Sequence, residues 1–149
     1  MKTVDFYVKA ARAELFDYHV NELAIKNLAD RLEELRSRQT TISGARFDGT
    51  PVQGGANARE VQALNLIYEK TVTEEQLAHL TRKMTRIDRG LDGIGDEKRR
   101  VLEVAYIYRP KNHIDVLMAE LYCERSAVYD KINAALTDFT RTMFGSTFI

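Results

Sequence analysis

Hydrophobic side chains recur every three or four residues along most of the chain. From Val4 to Leu35 they form one stripe, in which Glu22 fills a single gap, and neither proline nor glycine interrupts it. Steps of three and four residues return to the same face of a helix, so this stretch is predicted to be a single amphipathic helix. With a rise of about 1.5 Å per residue, the helix is about 50 Å long. A helix of that length needs a partner to cover its apolar stripe.

The composition changes between residues 40 and 57, where glycine, serine, threonine, aspartate and proline replace the periodic pattern. These residue types favour turns, so a loop is predicted here. The periodicity returns at Val61 and continues to Leu91, which predicts a second long helix packed against the first. Inside it, the residues from Thr73 to Gln76 match a capping box, and a bend or a new helix start is expected there.

Three shorter helices are predicted after a glycine-rich boundary at residues 90–95. The first is expected to be capped by Asp96 and to end before Pro110, because proline keeps the preceding residue out of the helical region. The expected bounds are 97–108, 112–121 and 125–143. No stretch alternates for long enough to predict a strand. We therefore expect an all-α fold.

The predicted organisation has two parts. Residues 1–94 are expected to form a long, coiled-coil-like helical hairpin that oligomerises as a dimer. Residues 95–149 are expected to form a three-helix module whose last two helices, joined by a tight turn, make a helix-turn-helix unit. Leu117, Leu121 and Val128 supply its apolar core positions. Any packed helical hairpin shows the same spacing, so the spacing alone leaves both interpretations open.

Composition narrows the class of protein. With 149 residues, of which 44% are hydrophobic, the chain can bury an ordinary core. No run approaches the ~20 apolar residues of a bilayer span, and the first residues lack a secretory signal pattern. We therefore expect a cytoplasmic protein without a membrane partner. Cys123 is the single cysteine, which excludes an intrachain disulfide and a cysteine-based zinc set and favours a buried thiol.

Charge argues against nucleic-acid binding by simple excess. The 22 basic and 22 acidic residues cancel, and residues 95–149 carry eight of each. A nucleic-acid binder usually has a basic excess or a basic face. Any surface that faces phosphates must therefore come from the arrangement of charges.

The chain shows no pattern of catalytic or metal-binding residues. His19, His79 and His113 are too scattered for a metal cluster. Gly54-Gly55 lacks the lysine and hydroxyl residue of a phosphate loop, and no nucleophile elbow or paired carboxylates stand out. We expect no enzymatic activity, no cofactor and no metal.

Five segments of the last third carry a more specific pattern of charged and apolar residues, at 96–102, 106–107, 117–121, 125–129 and 135–136. In these segments the chain resembles region 4 of sigma factors as it occurs in small phage regulators of the ArpU and RinA kind. The resemblance extends to the N-terminal half, where a turn-rich stretch containing Val52-Gln53-Gly54-Gly55 separates two helical segments. It implies a phage or prophage DNA-binding transcription regulator, an activator of late packaging and structural genes, acting in the bacterial cytoplasm.

The predicted contacts with double-stranded DNA fall into two sets. Arg125 begins the last helix, where its guanidinium can take guanine O6 and N7 together. The residues expected to contact base edges are Arg125, Ser126, Tyr129, Asp130 and Asn133. The residues expected to contact phosphates are Arg109, Lys111, Lys131, Arg99 and Arg100. For each of them, a solvated or ion-paired surface side chain is the alternative.

Three departures from the family pattern fall near the turn. Met118 stands where the family usually has a small residue, Tyr122 where it favours glycine, and Glu124 where it favours serine. A tyrosine at the turn either avoids a left-handed backbone or is strained. Other functions also stay open: a helical adaptor that acts through protein contacts, such as with RNA polymerase or in self-assembly, or a small terminase-like packaging protein.

Overall fold

The predicted all-α class is confirmed. The computed structural model describes residues 2–45, 56–147 and 149, and in these residues helices are joined by turns, with no strand. The helices are α1 (Lys2–Phe16), α2 (Tyr18–Ala45), α3 (Ala56–Asp92), α4 (Asp96–Leu102), a π-helical segment (Glu103–Tyr108), α5 (His113–Leu121) and α6 (Arg125–Phe144). None of the helices in the described part combines the length and apolar character that a membrane-spanning segment needs.

The N-terminal stripe forms two helices and not the single one that its periodicity predicts. Asp17 is a turn residue between α1 and α2. Its N–H donates to the Ala13 carbonyl at 3.0 Å, and its carbonyl accepts from the Asn21 N–H at 2.9 Å. Because helical hydrogen bonds continue on both sides, a break of one residue leaves the hydrophobic period almost unchanged and is not visible in the sequence.

The loop predicted over residues 40–57 is helical at both ends, since α2 extends into it from one side and α3 from the other. Thr40 and Thr41 each donate a hydroxyl hydrogen bond to the carbonyl four residues earlier, at 3.1 Å. These bonds accommodate inside a helix two residues whose type favours turns. The centre of the predicted loop, residues 46–55, lies outside the described residues.

Helix α3 runs for 37 residues without interruption, so the helix start predicted at Thr73 is wrong. A capping box stabilises a helix start because the first backbone N–H groups have no partner. Inside a continuous helix those groups bond to the preceding turn, and the Thr73 side chain is buried.

The first of the three short predicted helices differs from its prediction in detail. Residues 97–108 are helical as expected, but α4 gives way to a π-helical segment after Leu102. The cap of α4 is Gly95 and not Asp96, and no side-chain capping bond is made. The helical stretch ends before Pro110 as predicted, and Arg109 takes a left-handed conformation with φ 37°.

The chain forms two compact units, one made of residues 1–22 with 83–149 and the other of residues 23–82. In the first, α1 packs against α6, which brings the start of the chain to its last helix. These units divide the chain after residues 22 and 82. The boundary predicted between residues 94 and 95 concerns parts that fold independently, and it stays a prediction.

In the unit of residues 23–82, segments of α2 and α3 lie side by side. Arg31 pairs with Glu69 at 3.3 Å, and Lys70 donates to Gln39 at 3.1 Å. The large side chains buried there are Leu32, Leu35 and Leu66. Other large apolar side chains of this unit are exposed, namely Leu23, Val61, Leu64, Ile67 and Tyr68.

The other unit has the larger core, with α6 as a central element. Its apolar face is buried along Val128, Ile132, Ala135, Leu136 and Phe139. Helices α3 and α6 approach closely at Gly90, where an added Cβ would lie 2.9 Å from Met143 Sδ and 3.1 Å from Phe139 Cε2. The Thr142 hydroxyl also donates to the Gly90 carbonyl at 3.0 Å.

Candidate nucleic-acid interface

The segment formed by α5, a three-residue turn and α6 carries the predicted contact residues. Its helix bounds agree with those predicted to within one residue. Leu117 and Val128 are fully buried, while Leu121 is half-buried. The Glu124 carbonyl accepts the first helical bond of α6, from Val128 N–H at 3.0 Å.

Tyr122 takes the strained one of the two backbone conformations considered for the turn. Its backbone is left-handed, with φ 51° and ψ 46°, and its N–H bonds to the Met118 carbonyl. The turn thus has a conformation that glycine adopts more easily, and it holds a tyrosine at a cost of about 1–2 kcal/mol. The side chain is 95% exposed, so contacts inside the chain do not offset this cost.

Most basic residues of the last 55 positions form ion pairs. The pairs are Lys98 with Asp138, Arg99 with Asp92 and Glu103, Arg100 with Glu120, Lys131 with Glu97, and Arg141 with Asp138. Three of the predicted phosphate-contact residues, Arg99, Arg100 and Lys131, are therefore paired with carboxylates. A phosphate would have to compete with a carboxylate at each of them.

The Arg100–Glu120 pair has two hydrogen bonds, at 2.8 and 3.1 Å. This bonding raises the pKa of Arg100 and lowers the pKa of Glu120. The hydrogen bond to Glu103 likewise raises the pKa of Arg99. Lys131 lines a separate cleft of about 420 Å³ at the start of α4, together with its partner Glu97.

The remaining basic residues of this segment meet in one place. Arg109, Lys111 and Arg125 line a cleft of about 340 Å³ between the start of α5 and the start of α6. Within the part of the chain that the structure describes, none of the three forms an ion pair. One carboxylate, that of Asp115, lines the cleft with them, so positive charge exceeds negative charge there.

Aromatic packing positions Arg109 at this cleft. Its guanidinium lies over the Phe16 ring, 5.0 Å from the centroid. Phe16 in turn meets Tyr106 edge to face, with centroids 5.3 Å apart. The left-handed backbone of Arg109 turns the chain from the π-helical segment towards α5, so both local conformation and packing fix the residue.

The predicted base-contact residues divide into two groups on α6. Arg125 and Tyr129 line the cleft, and Tyr129 is 46% exposed. At about 100° per residue, the others share an outward arc roughly 60° wide; they are Ser126, Asp130 and Asn133, and all are exposed.

Sequence reasoning missed four cleft residues, the polar Asn112, His113 and Asp115 and the apolar Ile114. His113 Nδ1 lies 3.2 Å from the Pro110 carbonyl oxygen, which orients the ring. Their signal was closeness in sequence to Lys111 at a helix start, and it was too general to single them out. Among the described residues, no group of three or more histidine, cysteine or acidic side chains is placed to hold a metal ion.

No family model, curated protein or solved structure matches the chain. The resemblance to the phage regulators therefore stays a hypothesis based on the sequence pattern.

Proposed function

We propose that this protein is a DNA-binding transcription regulator of the phage or prophage type, and that α5 and α6 form its DNA contact surface. The observation that carries the proposal is the gathering of Arg109, Lys111 and Arg125, without carboxylate partners, in one cleft beside the exposed start of α6. In a chain without net charge, such a local excess supplies the attraction to phosphates that DNA binding needs.

The mode of binding follows from the two helices. In a helix-turn-helix unit the second helix enters the major groove by its N-terminal turns, while the first helix crosses the backbone. Here α6 presents exposed polar side chains on its first turns, and the cleft lies where α5 meets them. Phosphate contacts at the cleft then set the register in which α6 meets the bases.

The proposed active form is a cytoplasmic homodimer. The exposed apolar side chains of residues 23–82 support it, because two copies can cover them and a dimer doubles the number of phosphate contacts. Activation of late packaging and structural genes, with RNA polymerase as a further partner, is the part of the proposal that depends on the family resemblance alone. Light scattering after gel filtration tests the dimer.

The test of DNA binding is fluorescence anisotropy with the full chain. The probes are DNA duplexes with a randomised central segment. One set is the unselected pool, and the other is the pool after rounds of selection for binding to the wild-type protein. We expect selection to yield a common sequence and Arg125→Ala to bind it at least tenfold more weakly. Arg141→Ala removes an equal charge from the opposite end of the same helix, outside the cleft, and is expected to bind like the wild type. Absence of wild-type binding to every duplex at low salt would overturn the proposal.

A helical adaptor is the second candidate, supported by the same exposed apolar side chains of residues 23–82. It predicts stable self-association together with no DNA binding. A large ring in the light-scattering measurement would favour the terminase-like alternative.

A further inference from the structure

We infer that Arg125 holds a backbone phosphate of DNA jointly with Arg109 and Lys111, and does not read a base. Base reading then belongs to the outward arc of α6, which consists of Ser126, Asp130 and Asn133. The inference rests on the proposed function and assigns different roles to residues that the sequence pattern places in one set.

Arg125 lies on the side of α6 that faces the fold. At about 100° per residue, Arg125 falls within about 20° of Ile132 and of Leu136, which lie seven and eleven positions later. Both of those residues are buried. Arg125 therefore leaves the helix on the side that packs into the fold, and at the helix start this direction leads into the cleft beside α5.

The cleft has an excess of positive charge. Two guanidinium groups and one ammonium group share it, with the single carboxylate of Asp115 among the lining residues. Like charges brought together repel, and an anion in their midst offsets the repulsion. A phosphate supplies a negative charge and several strong acceptors, whereas the guanine edge offers neutral acceptors only. The cleft thus suits a phosphodiester better than a base.

The outward arc has the opposite character. Asn133 can bond to adenine N6 and N7 with both ends of its amide, and Asp130 can accept from the cytosine amino group. The negative charge of Asp130 disfavours a phosphate at this position. Asp130 and Asn133 are separated by about 4.5 Å along the helix axis, which allows contacts with neighbouring base pairs. The selected sequence is therefore expected to contain adjacent or nearly adjacent adenine and cytosine.

The experiment compares affinities for a selected duplex and a scrambled duplex of the same composition, over a series of KCl concentrations. We expect Arg125→Ala to weaken binding to both duplexes by the same factor, about tenfold, and to reduce the slope of log affinity against log salt by about one. Arg125→Lys keeps a charge for the phosphate but loses the bidentate geometry that guanine recognition needs, so it should recover most of the affinity. Arg141→Ala, at the opposite end of α6, is the matched control and should change the affinity for neither duplex.

Asn133→Ala tests the other half of the assignment. It should weaken binding to the selected duplex about tenfold, leave the scrambled duplex unchanged and preserve the salt slope. Circular dichroism of each variant verifies folding, which these exposed positions should not disturb.

Three results would overturn the inference: an Arg125→Ala loss confined to the selected duplex, an unchanged salt slope, or an Arg125→Lys variant as weak as Arg125→Ala. A titration with tripolyphosphate, followed by backbone amide shifts of residues 109–115 and 125–129, separates this inference from the proposed function. Tripolyphosphate binding that Arg125→Ala abolishes, in a protein that binds no duplex, would support the anion site and overturn DNA as its ligand. Binding of neither would overturn both.

Discussion

The guanidinium of Arg109 lies over the ring of Phe16, 5.0 Å from its centroid, although the two residues are far apart in sequence. Phe16 ends α1, and Arg109 follows the π-helical segment that leads to the cleft. A side chain near the start of the chain thus positions a basic residue of the proposed DNA interface.

Phe16→Ala should therefore weaken DNA binding without touching DNA. A partly exposed cation–π contact contributes about 0.5–1 kcal/mol, which corresponds to a loss of about two- to fivefold in affinity. Anisotropy titrations with a selected duplex measure it. Phe6→Ala is the control, because Phe6 is an exposed aromatic residue of the same helix that contacts Tyr7. Equal effects of both substitutions would contradict this account of Arg109.

Tyr122→Gly should stabilise the protein. The left-handed backbone costs a tyrosine about 1–2 kcal/mol, and part of the gain is offset by the greater freedom of glycine in the unfolded chain. A net gain of about 0.5–1 kcal/mol raises the melting temperature by roughly 1–4 °C. Tyr108→Gly, at an exposed helical position with ordinary φ, should destabilise instead. A lower melting temperature for Tyr122→Gly would show that the tyrosine side chain stabilises the turn.

Gly90→Val should destabilise the unit in which α3 meets α6. The added Cβ alone would approach Met143 Sδ to 2.9 Å and Phe139 Cε2 to 3.1 Å, and the two methyl groups need more room. Overpacking of this kind costs about 2 kcal/mol. Urea unfolding measures the change. Gly90→Ala should show a smaller effect, because the flexible Met143 thioether can move. Equal stability of the wild type and both variants would mean that α3 and α6 separate easily.

The Tyr18 hydroxyl should make the free energy of unfolding depend on pH in the alkaline range. It donates a 2.5 Å hydrogen bond to Asp88, and burial followed by this bond raises the pKa of Tyr18 far above its ordinary value. Because the folded pKa is the higher one, the stabilisation is complete below pH 10 and declines as the pH rises beyond it.

The measurement is chemical unfolding of the wild type and Tyr18→Phe at intervals from pH 8 to 11.5. The wild type should be more stable at pH 8, and its advantage should decrease above pH 10. A constant difference across this range would contradict a raised pKa for Tyr18.

Local sequence signals predicted several elements well. The three- and four-residue period predicted the helices, and the break at residues 122–124 and Pro110 predicted where the short helices end. Each of these signals depends on neighbouring residues. The capping box at Thr73 failed because its meaning depends on whether the preceding turn is already helical, and the sequence of the box alone does not determine that.

The sequence by itself determined the helical class, the bounds of α5 and α6, and the basic residues available for a DNA interface. The tertiary structure decided which of those residues keep their charge unpaired. Arg100 pairs with Glu120 across 20 positions and Lys131 with Glu97 across 34, while Arg109, Lys111 and Arg125 come together without a carboxylate partner. Ion pairing depends on distances between side chains remote in sequence. The sequence contains equal numbers of basic and acidic residues, and the packing of the helices decides which of them form pairs.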